Sequence, residues 1–111
     1  MIHHVQLCCP AGAEDRQRGF YRGVPGWTEL PKPPRLAGRG GPDGELHIGV
    51  EADVHPATKA HPAFVVDIDA TAEALASAGY LVVWADPAEI PGRRRFHTHD
   101  AVGNRVEFLA A

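Results

Sequence analysis

Four landmarks recur in this 111-residue chain at a nearly constant spacing. His4 and His61, Gly23 and Gly79, Trp27 and Trp84, and His47 and Glu107 lie 57, 56, 57 and 60 residues apart. A repeat of that length holds one supersecondary unit, and a single such unit has too few strands to cover its own sheet. The chain therefore reads as a duplicated β-α-β-β(-β) unit whose halves pack together, in one chain or between chains. Module 1 is assigned to residues 1–52, a polar linker to 53–60 and module 2 to 61–111, within a single domain of residues 1–111.

Local patterning fills in the unit. Ile2 to Cys9 alternates His4 and Gln6 against Val5 and Leu7 and reads as a strand. Glu14 and Asp15 favour a helix start, so a helix is expected from about Ala13 to Arg22, with Gly23 as its stop. Trp27–Leu30 is a short strand ended by the Pro31-Lys-Pro-Pro34 breaker run. Arg35 to Gly44 is crowded with Gly and Pro and reads as a loop. Glu45 to Glu51 is a strand with Leu46, Ile48 and Val50 on one face and His47 and Gly49 on the other. In module 2, His61 to Ile68 is apolar on both faces, as a central strand would be. Asp69 or Thr71 caps a helix over Ala70–Ala78 that Gly79 ends. Strands follow at Leu81–Trp84, Arg94–His99 and Asn104–Leu109.

The last strand carries the chemical signal. Val106 and Phe108 alternate with Glu107 and Leu109, so the Glu107 carboxylate shares a face with Leu109. A carboxylate on an apolar face is costly unless something pairs with it. His4, His47 and His61, each near the start or middle of its own strand, are partners of the right chemistry. The four side chains read as the ligands of one metal ion. His97 and His99 share a face of the preceding strand, and His97 is a candidate general base.

Composition narrows the class. A net charge of −3 gives no reason to expect nucleic acid or an anionic membrane as partner. No apolar run approaches the ~20 residues that span a bilayer, and the His3-His4 start does not read as a secretory signal. Cys8 and Cys9 are adjacent and cannot close a relaxed disulfide, so they read as reduced thiols in a cytoplasm. Arg93-Arg94-Arg95 reads as a solvated face. Phe20, Tyr21, Trp27 and Trp84 read as core.

The segments His4-Val-Gln-Leu7, Gly19 to Gly26, Glu45-Leu-His-Ile48, His61 to Asp67 and Asp100 to Glu107 together resemble the vicinal oxygen chelate superfamily. That superfamily includes glyoxalase I, bleomycin-resistance proteins and extradiol dioxygenases. The resemblance implies an α+β fold of two βαβββ modules forming a curled mixed-sheet cup around a divalent metal (Fe, Mn, Ni, Co or Zn). It puts ligands at His4 and His47 from module 1 and at His61 and Glu107 from module 2. Glu107 is read as catalytic as well as ligating, and His97, on the residue reading above and not on the resemblance, as a catalytic base beside the metal. The chain departs from the family pattern twice. Module 1 looks to lack or shorten its third strand, because Trp27 to His47 is 20 residues against 23 from Trp84 to Glu107. The turn Asp100-Ala-Val-Gly-Asn104 also lacks the family's usual aromatic.

Three functions compete at this level. One is a metal-dependent lyase, isomerase or dioxygenase acting on a small oxygenated molecule. Another is a metal-free small-molecule or antibiotic-binding protein of the bleomycin-resistance type. The last is a module with no chemistry. The first is preferred, in a homodimer that covers the apolar sheet edges.

Overall fold

The computed structural model describes residues 2–29 and 44–111, and the backbone alone of 36–39. Among these, the chain runs β1 (His4–Cys9), α1 (Glu14–Arg22), β2 (Leu36–Arg39), β3 (Glu45–Val50), β4 (Ala63–Val66), α2 (Ile68–Ser77), β5 (Val83–Trp84), β6 (Arg95–His99) and β7 (Arg105–Ala110). The strands form two mixed sheets, ordered β1-β3-β2 and β4-β7-β6-β5. In each half the first and last strands are parallel neighbours, β1 with β3 and β4 with β7. The strand before the last pairs with it antiparallel, β2 with β3 and β6 with β7. This is an α+β fold of two sheets and two helices.

Module 1 differs from the sequence reading. The expected loop at Arg35–Gly44 contains β2, which pairs with β3 through Leu36↔Ile48, Ala37↔His47, Gly38↔Leu46 and Arg39↔Glu45. Ladder bonds use main-chain groups, and an edge position tolerates Gly38. Of the strand expected at Trp27–Leu30, described residues 27–29 show an isolated bridge at Glu29. Glu29 is drawn toward α1 by Arg18 Nε at 3.0 Å and Arg22 at 2.9 Å. Leu30, the Pro31–Pro34 run, Arg35 and residues 40–43 lie outside the described residues.

The helices show why the two matched glycines are not equivalent. α2 begins at Ile68, two residues earlier than expected, because the Asp67 carboxylate accepts from the Ala70 N–H at 3.2 Å as N-cap. Thr71 is buried and Asp69 pairs with Arg94, so neither serves as the cap. Gly79 then ends the helix at φ +93°, the left-handed geometry that a Cβ disfavours. Gly23 caps α1 at an ordinary φ of −70°. Space is tight there instead: a Cβ would sit 3.1 Å from the Phe20 carbonyl and 3.6 Å from Leu75 on α2.

Both halves contribute to one apolar core. Phe20, Tyr21 and Val24 of α1, Leu46 and Ile48 of β3, Ile68 and Leu75 of α2, and Phe96, Val106 and Phe108 are all buried in it. Phe20 meets Tyr80 edge-on at 4.7 Å, and Trp27 meets Phe64 at 4.8 Å. These contacts join the segments on either side of the residues 51–62 connection. Two aromatic and strand expectations fail here. Trp84 is 45% exposed beneath the Arg94 guanidinium rather than in the core, because β5 is the edge of its sheet. β4, read as a central strand, is the other edge, which leaves Val65 half exposed.

A polar junction locks the halves together. The Asp100 carboxylate is buried and accepts five hydrogen bonds. Oδ2 takes Gln17 Nε2 (2.8 Å), the Tyr21 hydroxyl (2.7 Å) and Asn104 Nδ2 (2.9 Å). Oδ1 takes the N–H groups of Val102 (3.1 Å) and Asn104 (2.9 Å). Asn104 also donates to the Cys8 carbonyl of β1 at 2.9 Å. The turn that launches β7 is thus tied to α1 and β1, which fixes where β7 presents its side chains. Burial, and then the neighbouring Asp100 charge, push the Tyr21 hydroxyl well above its ordinary pKa near 10.

Candidate metal centre

β7 runs between β4 and β6, and its alternation aims Glu107 to the side away from Val106 and Phe108. On that side Ala63 of β4 and His97 of β6 stand directly beside it in register. His61 lies two residues before Ala63 and reaches the same carboxylate. Glu107 Oε1 is 3.1 Å from His61 Nε2 and 3.0 Å from His97 Nε2. One ligand atom from each of His61, His97 and Glu107 lies within 4.8 Å of the others.

The ring of His61 is oriented by the linker. Its Nδ1 lies 2.6 Å from the Lys59 carbonyl, which can only accept, so Nδ1 carries the proton. Its Nε2 faces a carboxylate oxygen at 3.1 Å, a contact that takes a cation or a proton between the two atoms. A backbone carbonyl on the far nitrogen is the usual way a ligating imidazole is held. The His97 pKa is lowered, chiefly by burial and then by the Arg105 charge, and the pull of Glu107 in the other direction is outweighed. Its ring is therefore neutral and able to ligate at neutral pH. Two imidazoles and a carboxylate form a donor set that suits Fe, Mn, Co, Ni or Zn, so the residues present fit a divalent metal.

The remaining predicted ligands lie on the other sheet. His4 and His47 stack with ring centroids 4.2 Å apart and planes at 12°. His47 is buried, its Nε2 is 3.5 Å from Glu45 Oε1, and its Nδ1 has no hydrogen-bond partner among the described residues. The structure thus groups the predicted residues as two sets. His61 and Glu107 are joined by His97, expected as a base, while His4 and His47 form a separate pair outside the 4.8 Å group.

One participant was not expected at all. Arg95 is buried, against the solvated-face reading of the 93–95 run, and its guanidinium donates to Glu107 Oε1 at 3.1 Å and pairs with Glu89. Arg95 and His97 are two apart on one strand, so their shared face was the available signal. Arg93 and Arg94 remain exposed. Cys8 and Cys9 are free thiols whose pKa values are raised, first by burial, which leaves them poor nucleophiles.

The sequence matches no family model and no curated protein. Solved structures are more informative. A glyoxalase-family protein from Bacillus anthracis is 39% identical, with 99% of this chain and 93% of that one covered and a TM-score of 0.85. The chain belongs to the vicinal oxygen chelate superfamily. More distant superfamily members share the fold. The fosfomycin resistance protein FosX of Mesorhizobium loti is 18% identical over 98% of this chain and 89% of its own, with a TM-score of 0.69. TnmS3, an antibiotic-binding protein from Streptomyces sp. CB03234, is 21% identical over 97% and 94%, with a TM-score of 0.70. In this vicinal oxygen chelate protein no described helix is long and apolar enough to cross a membrane.

Proposed function

We propose that the protein is a metal-dependent enzyme of the glyoxalase or dioxygenase type, acting on a small molecule that binds a divalent metal through two neighbouring oxygens. The observation that carries this reading is His61, whose Nδ1 is committed to Lys59 while its Nε2 confronts Glu107. His61, His97 and Glu107 would hold the ion. A bound divalent metal supplies Lewis-acid stabilisation of developing negative charge on the substrate, or activation of dioxygen. Arg95 fixes the direction of the Glu107 carboxylate by donating to its Oε1 at 3.1 Å. Glu107, through the carboxylate oxygen not given to the ion, is the group able to take a substrate proton and return it.

The rest of the superfamily architecture is part of the same proposal. The two sheets curl into a cup, and a homodimer brings the His4–His47 pair of one module toward the His61–Glu107 centre of another. The edge strands support this: Val65 on β4 and Val83 on β5 are each half exposed, and Leu81 is 71% exposed. A second copy would cover that surface. The reduced cysteines agree with a cytoplasmic protein.

A second reading rests on one observation. The Arg95–Glu107 pair already satisfies the carboxylate, as a metal-free small-molecule or antibiotic-binding protein of the bleomycin-resistance type would require. Elemental analysis by ICP-MS separates the two. The enzyme reading expects about one divalent metal per centre in wild type, lost in Glu107→Ala and His61→Ala. Wild type that takes up no metal on titration, yet binds small molecules after chelator treatment, would establish the binder instead.

A further inference from the structure

The strand register arranges the ligand-bearing face of the second sheet in three layers. The middle layer is Ala63, Glu107, His97 and Val83, aligned across β4, β7, β6 and β5. One step toward the C-terminal end of β7 lies an aliphatic layer of Val65 and Leu109, with Arg95 beside them. One step toward the start of β7 lies Arg105, paired in register with His99. The two cations flanking the centre are therefore in different states. Arg95 is consumed by Glu107 and Glu89. Arg105 is partly exposed and has no side-chain hydrogen bond or ion pair among the described residues, while its charge is felt by His97.

We propose that Arg105 is a recognition residue for an oxyanion, so that the ligand of this site is a small organic acid with its chelating oxygens over Glu107 and its carboxylate or phosphate toward Arg105. This rests on the metal-centre reading above. Residues two apart on a strand are roughly 6.5–7 Å apart, a distance a short carbon skeleton spans. A guanidinium meets either oxyanion with two parallel N–H bonds. His99 opposite it adds a ring nitrogen at the same layer. The other end of the ligand faces Val65 and Leu109 and is apolar, the Arg95 of that layer being held by Glu107 and Glu89. The polarity of the face thus dictates one orientation, with the charged group at the start of β7 and the hydrocarbon toward its end.

The test uses metal-loaded full-length protein and two chelators of matched shape, catechol and 3,4-dihydroxybenzoate, the second carrying one added carboxylate. Calorimetric titration of wild type is expected to favour 3,4-dihydroxybenzoate by about tenfold or more, the size of one charge-assisted hydrogen bond. Arg105→Gln should abolish the preference with metal content unchanged, and Arg93→Gln, whose side chain is exposed elsewhere, should keep it. Equal affinities in wild type, or a preference that survives Arg105→Gln, would overturn the assignment. If wild type holds no metal, the centre fails separately, and inorganic phosphate followed by ³¹P NMR on the metal-free protein decides the remainder. Phosphate binding weakened by Arg105→Gln and not by Arg93→Gln sustains the oxyanion site alone, and binding insensitive to Arg105 removes it too.

Discussion

Removing the Asp100 carboxylate should loosen the whole molecule, although it lies away from the metal-ligand group. In Asp100→Ala the Tyr21 hydroxyl and Gln17 Nε2 become buried donors with nothing to donate to. Each such orphan costs about 1–3 kcal/mol. The Val102 and Asn104 N–H groups sit in a partly open turn, where water replaces the lost oxygen at smaller cost. The sum is roughly 3–5 kcal/mol, a large share of the 5–15 kcal/mol typical of a domain. Asp100→Asn does not rescue it, because either orientation of the amide aims its NH₂ at existing donors. Tyr21→Phe alone should cost about 1 kcal/mol. In the Asp100→Ala background it should cost less or even stabilise, since the orphan hydroxyl is gone, giving a coupling of about 1–2 kcal/mol. Urea unfolding followed by circular dichroism measures all four corners of this cycle. A loss under about 1 kcal/mol for Asp100→Ala, or additive single mutants, would refute the junction.

The raised Tyr21 pKa makes a pH prediction of definite sign. The unfolded chain releases this proton near pH 10 while the folded chain keeps it, so stability is complete below pH 10 and falls as the pH rises beyond it. Tyr21→Phe should flatten that alkaline loss in thermal melts taken between pH 8 and 11. Phe108→Ala should cost about 3–5 kcal/mol in urea unfolding, since the ring is fully buried among Phe64, Phe96 and Trp27. Trp84→Ala, on an exposed edge, should cost about 1 kcal/mol or less by the same measurement. Glu107→Ala should lower metal affinity by at least about a hundredfold in a competitive chelator titration, more than the loss expected from an outer-shell partner.

The main-chain architecture was readable because alternation and landmark spacing act over many residues at once. The parity of β7 placed Glu107 on the correct side, and the repeated landmarks gave two sheets of similar build. What escaped depends on single contacts across long separations. Nothing local distinguishes Arg95 from Arg93 and Arg94, and only the pairing of β6 with β7 buries one of the three. Asp67 won the cap over Asp69 and Thr71 because Arg94 and the core claimed the alternatives. β2 hid in a Gly-rich stretch because an edge strand can be held by its backbone alone. The convergence of His61 with Glu107 followed from their matched strand positions, whereas the inclusion of His97 needed the register.

The Lys59 carbonyl that orients the His61 ring belongs to the segment between β3 and β4. That segment is therefore a chemical component of the centre as well as a covalent connector. Lengthening it, or reopening the chain there in a circular permutant, would leave every donor side chain in place and still let the imidazole turn over to present the wrong nitrogen. Two half-proteins mixed in a tube would meet the same difficulty.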